Sequence, residues 1–230
     1  MSLWNWSGFF GYLFNPFILG GVITTIWLTV VSLIAGLILG FALAMMRRSR
    51  LRLVQTLAKV YIWLFRGTPL LVQLIALYTA LPLFGIRLSV VEAALVGLAL
   101  NEAAYLAEII RAGIEAVPIG QTRAARALGM TERQIMRYVV MPQAFKVIIP
   151  PLGNSVNGLL KTTSVTSVIS MEELLRRTQV LIQERFMVLE LFAVAAIYYL
   201  LLTTLWDVFQ RHIEKRFGQS DSRLSFSEKR

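Results

Sequence analysis

The stretch "ILGGVITTIWLTVVSLIAGLILGFALAMM", residues 18–46, runs for 29 residues without a charge. A helix needs about 20 apolar residues to cross about 30 Å of hydrocarbon, so this one can span with some tilt. Gly36 and Gly40 form a small-xxx-small pair that lets a second helix approach closely, a signal common in apolar helices and weak alone. Upstream, residues 1–17 are rich in aromatics, among them Trp4, Trp6, Phe9, Phe10 and Tyr12. Such rings favour the headgroup layer, and we expect an interfacial segment ending near Pro16. The first 46 residues hold no Lys, Arg, Asp or Glu, so the basic start of a secretory signal is not expected.

The composition agrees. Of 230 residues, 57% are hydrophobic and 16% charged, and mean hydropathy is +0.65. A soluble domain carries about 25% charged residues. Cysteine is absent and His212 is the lone histidine, which argues against a disulfide framework and against a zinc or haem site. The net charge of +10 could suggest nucleic acid, but the basic residues fall mainly between apolar runs, where membrane topology places them. No nucleic-acid partner is expected.

Four more stretches read as spans: roughly 54–83, 88–117, 147–169 and 186–210. Between the last two, "SMEELLRRTQVLIQERF" reads as a short amphipathic helix with Leu174, Leu175 and Val180 on one side. The connection 47–52, the segment 111–146 and the tail 211–230 hold sixteen Lys and Arg, against four in the alternate connections. The positive-inside rule then puts the N-terminus outside and the C-terminus in the cytoplasm, as five spans require. The expected fold class is an all-α integral membrane protein with five transmembrane helices. Its expected organisation is an interfacial segment at 1–17, a transmembrane unit at 18–212 and a disordered cytoplasmic tail at 213–230.

The most informative segment is the connection 117–145 within "VPIGQTRAARALGMTERQIMRYVVMPQAFKVIIPPLGNS". Gly120 to Leu128 is helix-prone, and Gly129 suits the left-handed position that ends a helix. Thr131 caps a second helix, with Gln134 completing a capping box, and Pro142 ends or kinks it. A capped helix pair beside a bundle can dock in a partner's groove. The same chemistry is equally compatible with packing on its own bundle.

This segment resembles the EAA loop of ABC-importer permeases, E-A-A-x3-G-x9-I-x-L-P. Ala124 and Ala125 are followed after three residues by Gly129, and after nine more by Val139, Val140, Met141 and Pro142. Val139 and Met141 are mild departures, whereas Arg123 stands where the pattern has Glu. The stretches "FRGTPLLVQ" (65–73), "LNEAAYLAEIIRAGI" (100–114), "MPQAFKVIIPPLGNS" (141–155) and "LLKTTSVTSVI" (159–169) resemble the polar amino acid permeases. The resemblance covers about 18–215. It implies a bacterial inner-membrane, multi-pass permease subunit that works with a dimer of ATP-binding subunits, a second permease subunit and a periplasmic substrate-binding protein. It also implies that Arg123, Ala124, Ala125, Leu128, Gly129 and Met130 seat in the ATP-binding subunit, and that ATP and Mg bind there and no cofactor binds this chain. Lys59, Lys146, Lys161, Lys215 and Lys229 are the only lysines and none follows a Gly, so the chain has no phosphate loop of the G-x-x-x-x-G-K-[ST] kind and no catalytic residue is expected.

Charges at membrane depth are costly and usually face a cavity or a partner. Asn101, Tyr105 and Glu108 share one helix face, with Glu102 beside it. They can line a path for a zwitterion or form an interhelical seam. The lining suits Asn101, and a pair with Arg111 suits Glu108. On the next span Asn154, Ser155 and Lys161 are the polar candidates. The run Pro150-Pro151-Leu152-Gly153 either breaks the helix toward a water-lined site or forms its opening turn. Relatives that import cationic amino acids commonly carry Glu after this Asn, so Ser155 implies a neutral or cystine-like cargo. Lys161 could hold the cargo carboxylate or a structural acid. Two other classes remain. A secondary transporter would show two halves with matching broken helices, and a membrane assembly protein would lack the docking loop.

Overall fold

The computed structural model describes residues 4–218. Helix α1 (Trp6–Leu13) is capped by Asn5, whose side chain accepts from Gly8 N at 2.9 Å. Its start is tied to the far end of the chain, where Glu190 Oε1 accepts from Asn5 N at 2.7 Å. Helix α2 (Pro16–Arg47) starts two residues before the expected span. Asn15 caps it, and Pro16 occupies the first turn, where a missing N–H costs nothing.

Helix α5 (Val90–Glu115) lies along α2, and the pair forms the centre of the bundle. The buried face of α2 includes Thr25, Thr29, Ser32, Gly36 and Gly40, spaced at one helical turn. The small residues have a packing reason. A Cβ on Gly40 would stand 2.9 Å from Leu106 Cβ and 3.0 Å from the Ala103 carbonyl oxygen. Gly40 is therefore where the two backbones meet, whereas Gly36 lies against the Glu102 side chain.

The second apolar stretch is not a straight span. Helix α3 (Arg52–Gly67) ends at Gly67, helix α4 (Leu70–Ile75) starts after Pro69, and the arm Leu70–Phe84 that α4 opens is bent from α3 by 104°. Pro69 cannot follow a helical residue comfortably, and Thr68 takes an extended conformation. A π turn at Ala76–Ala80 and a 3-10 turn at Leu81–Phe84 complete this arm, which Gly85 closes at φ +83°.

After α5 come the loop helix α6 (Ile119–Ala127) and a long helical rod. The rod opens as α7 (Glu132–Gln134), passes through a π turn at Ile135–Val140 and continues as α8 (Met141–Thr162). Pro142 thus starts α8 and does not end a helix, because the π turn before it absorbs the ring. Pro150 and Pro151 lie inside α8, so they form neither a break nor an opening turn. The last helix supplies donors at that place, Gln210 Nε2 to the Pro150 carbonyl at 3.3 Å and Trp206 Nε1 to that of Gly153 at 2.8 Å. Helix α9 (Leu174–Arg185) buries Leu174, Thr178 and Leu181, so its inward stripe is offset from the expected Leu175 and Val180. Helix α10 (Val188–Gly218) carries the chain onward, and the tail expected from 213 is helical as far as Gly218. The remainder of that expected tail, and residues 1–3, lie outside the described residues.

Among the described residues, α2, α5 and α10 are long and apolar enough to cross a membrane, and the bent α3–α4 arm adds a fourth candidate. Helix α8 has the length, at 22 residues, but holds Lys146 and Lys161.

Candidate functional site

The α3–α4 corner builds one wall of the site. A helix end leaves its last carbonyls without intrahelical partners, which is costly away from water. Here side chains satisfy them. Thr68 Oγ1 donates to the Leu64 carbonyl at 2.8 Å, and Gln73 Nε2 donates to those of Phe65 and Thr68 at 3.0 and 3.1 Å. Asn101 Nδ2 on α5 donates to the Phe65 carbonyl at 3.2 Å and to Gln73 Oε1 at 3.1 Å. Asn101 is therefore a member of an interhelical seam as well as a lining residue. Gln73 and Thr68 were not singled out in the sequence, although their place beside Pro69 in a helix-breaking run was a usable signal.

Beside this corner lies a cavity of about 340 Å³ walled by Thr68, Asn101, Glu102, Tyr105, Ser155 and Thr162, with four apolar neighbours. It brings together Asn101, Glu102, Tyr105 and Ser155. Glu102 is 7% exposed, and Ser155 Oγ donates to its carboxylate across the α5–α8 interface. An adjoining cavity of about 540 Å³ shares Tyr105 and Ser155 as walls and adds Arg66, Glu108, Arg111 and Asn154. Asn154 is exposed there and does not line the Glu102 cavity. Lys161 is also exposed and lines neither cavity, because its position on α8 turns it away from Ser155.

Glu108 bonds Arg111 at 2.9 Å, as its spacing suggests, and also bonds Arg47 on α2. Arg111 bonds Glu115 in turn. This chain of four charges ties the end of α2 to the end of α5, and the Arg47 partner was not anticipated.

The loop helices have the expected local chemistry. Gly129 sits at φ +78° after α6, where a side chain would strain the backbone. Thr131 and Gln134 form the capping box. Arg126 Nε donates to Glu132 Oε1 at 2.6 Å and locks the two helices together. That hydrogen bond holds the Glu132 carboxyl below the usual carboxylate range. Ala125 is 4% exposed and packs in a cluster with Ala44, Ile114, Ile135 and Val140, so its side chain is taken up by the chain's own packing. Met130 packs against the same cluster. The outward residues are Arg123, Ala124 and Leu128, the last 83% exposed.

A helical bundle with apolar spanning helices, a polar cavity between them and a capped helix pair at one end defines a membrane transport protein. Comparison makes the class specific. Residues 32–219 match the family described as "Binding-protein-dependent transport system inner membrane component", and the chain belongs to that family. The arginine transport system permease protein ArgU of Corynebacterium glutamicum is 39% identical over 96% of this chain and 74% of its own. The L-cystine transport system permease protein TcyB of Bacillus subtilis is 39% identical over 90% of this chain and 88% of its own. A solved amino acid ABC transporter with histidines has a chain of 37% identity and TM-score 0.88, covering 94% of this chain and all of the other. A chain of the MetNI methionine transporter, 18% identical with TM-score 0.75, shares the fold. The protein is thus a permease subunit of a polar amino acid ABC importer, a membrane component and not the ATPase.

Proposed function

We propose that this permease carries a polar amino acid without a net positive side chain, neutral or cystine-like. The observation that carries the reading is the Ser155–Glu102 bond inside the 340 Å³ cavity. Glu102 is the one acid among that cavity's lining residues. A bound zwitterion needs it for the α-ammonium, and a cationic side chain would then be desolvated without a partner, which is costly. The other acid nearby, Glu108, is held by Arg47 and Arg111. Asn101, Tyr105 and Ser155 give hydrogen-bonding groups for a polar side chain, with Asn154 in the adjoining cavity.

The proposed topology has five spans: α2, the α3–α4 arm, α5, α8 and α10. The N-terminus is periplasmic and the C-terminus cytoplasmic, in a bacterial inner membrane. Clustering of the basic segments supports this: Ala44 and Met45 before the Arg-rich turn, Ile110 and Ile114 of α5, and the loop all pack together. The loop 117–145 docks on a dimer of ATP-binding subunits, which hold ATP and Mg, through Arg123, Ala124 and Leu128, with Gly129 setting the turn. A second permease subunit and a periplasmic binding protein complete the importer.

The test is ATP-driven uptake by vesicles holding the whole complex, offered labelled arginine, glutamine and cystine separately. Glutamine or cystine is expected to be preferred. Arginine as the preferred cargo would overturn the substrate reading. Failure of an ATP-binding subunit to co-purify would remove the partner assignment.

A further inference from the structure

Arg66 has no role in the site as drawn so far. It is the penultimate residue of α3, one position before the chain turns through 104°. It is exposed, and it walls the 540 Å³ cavity beside Tyr105, Asn154 and Ser155. Its guanidinium lies 5.2 Å from the centre of the Tyr105 ring. Among the described residues Arg66 makes no ion pair, whereas Arg47, Arg111, Arg126 and Arg177 each hold a carboxylate.

A cation at membrane depth needs water or an anion. A guanidinium stacked on an aromatic ring keeps its N–H edge outward, and that edge matches the two oxygens of a carboxylate. The ring that carries Arg66 is one of the two walls shared with the Glu102 cavity, Ser155 being the other. Glu102 and Tyr105 lie three residues apart on α5, neighbours at about 5–6 Å between Cβ atoms. A buried carboxylate and an unpaired guanidinium therefore flank one aromatic wall, an arrangement that suits the two charges of an amino acid.

We infer that Arg66 receives the α-carboxylate of the cargo, and that the Asn101–Gln73 clamp on the Phe65 carbonyl aims it. The clamp fixes the peptide directly before Arg66, and with it the point on the cavity wall from which the Arg66 side chain projects. Arg66 is a binding residue and Gln73 a positioning residue. The inference rests on the reading of the Glu102 cavity as the cargo site.

The experiment uses permease assembled with its ATP-binding subunit in nanodiscs, without binding protein, so that only the membrane site is read. Binding of labelled glutamine, cystine and arginine is measured, with competition by the corresponding α-carboxamides. The wild type is expected to prefer the acid over the amide by tenfold or more. R66Q should lose that preference, binding the acid at least tenfold more weakly and the amide unchanged. R66K, which keeps the charge but not the fork, should lose at least threefold for the acid alone, and it carries the test if R66Q does not assemble. Q73L should weaken acid binding by a smaller factor and spare the amide. E102Q should weaken acid and amide equally. An R66Q complex that keeps the wild-type preference for the acid, or an R66K complex unchanged for the acid, overturns the role of Arg66. An unchanged Q73L complex overturns the aiming. A wild-type complex that binds none of the three amino acids overturns the cargo site itself, and the inference with it.

Discussion

The Gly36–Gly40 pair gives a test in which two neighbouring methyl groups have different consequences. Gly40→Ala adds a Cβ 2.9 Å from Leu106 Cβ, 3.0 Å from the Ala103 carbonyl oxygen and 3.1 Å from Ala107 N. Carbon contacts are comfortable near 3.5–4.0 Å, so the shortfall is about half an ångström. Two of the three atoms are backbone and cannot yield without moving α5 as a whole. Overpacking of this kind costs about 1–3 kcal/mol. Gly36→Ala meets Glu102 Cβ and Cγ instead, both at 3.2 Å. Glu102 Cγ can turn aside by a few tenths of an ångström while Cβ stays fixed to α5, so the crowding is milder than at Gly40 and the carboxylate moves relative to Ser155. We expect G40A to lower the melting point of the purified complex, at about 2–4 °C per kcal/mol for a chain of this size. G36A should melt near wild type but bind cargo more weakly. Melting is followed by fluorescence-detected size exclusion after heating, and binding by the nanodisc assay. A G40A complex that melts with the wild type, or a G36A complex destabilised as much as G40A, would refute the claim that the backbone is tighter against Gly40 than against Gly36.

The orientation of the loop separates two other variants. Leu128→Asp should leave the permease folded and abolish co-purification of the ATP-binding subunit, whereas Ala125→Asp buries a carboxylate beside Ile114 and Ile135 and should reduce the yield of folded permease. Normal assembly of L128D would exclude α6 as the docking element. Gln73→Leu strands the Thr68 carbonyl and leaves the Asn101 amide with the Phe65 carbonyl alone, and should cost about 1–3 kcal/mol in the melting assay. The Arg126–Glu132 bond makes the loop sensitive to acid. A depressed carboxyl contributes order above its unfolded pKa and loses it as pH falls through the lower folded value. Amide exchange across 119–134, corrected for its intrinsic pH dependence, should therefore rise at acid pH and not between pH 6 and 8, and E132Q should show that rise at neutral pH.

Hydropathy located α2, α5 and α10 because long uncharged runs have few alternatives to a spanning helix. Cap chemistry located the loop helices because Gly129, Thr131 and Gln134 act within their own turn. The misreadings share a cause. Pro150 and Pro151 look like a break, but Gln210 and Trp206, more than fifty residues away, bond the backbone around them. Ala124 and Ala125 look alike as small residues, and only the phase of α6 against Ile135 and Val140 turns one inward. Asn101 and Glu102 were visible as polar residues on an apolar span. Their partners Gln73 and Ser155 lie on other helices, and no local pattern fixes that pairing. Lys161 drew attention by its charge, yet its angular position on α8 removes it from both cavities.

The helical rod from Glu132 to Thr162 has a consequence in angle. Each residue of an α-helix turns the next by about 100°. The π turn at Ile135–Val140 holds an extra residue within its loop, so it offsets the faces on its two sides. The face of the rod that packs on α6 and the face that bears Ser155 thus keep an angular relation set by that turn. Tightening the turn to α geometry at the same residue count would leave hydropathy, capping and loop sequence intact. It would nonetheless swing Ser155 by about a quarter of a revolution away from Glu102. The winding of this one turn, more than its composition, sets the direction in which motion at the loop arrives at the cavity.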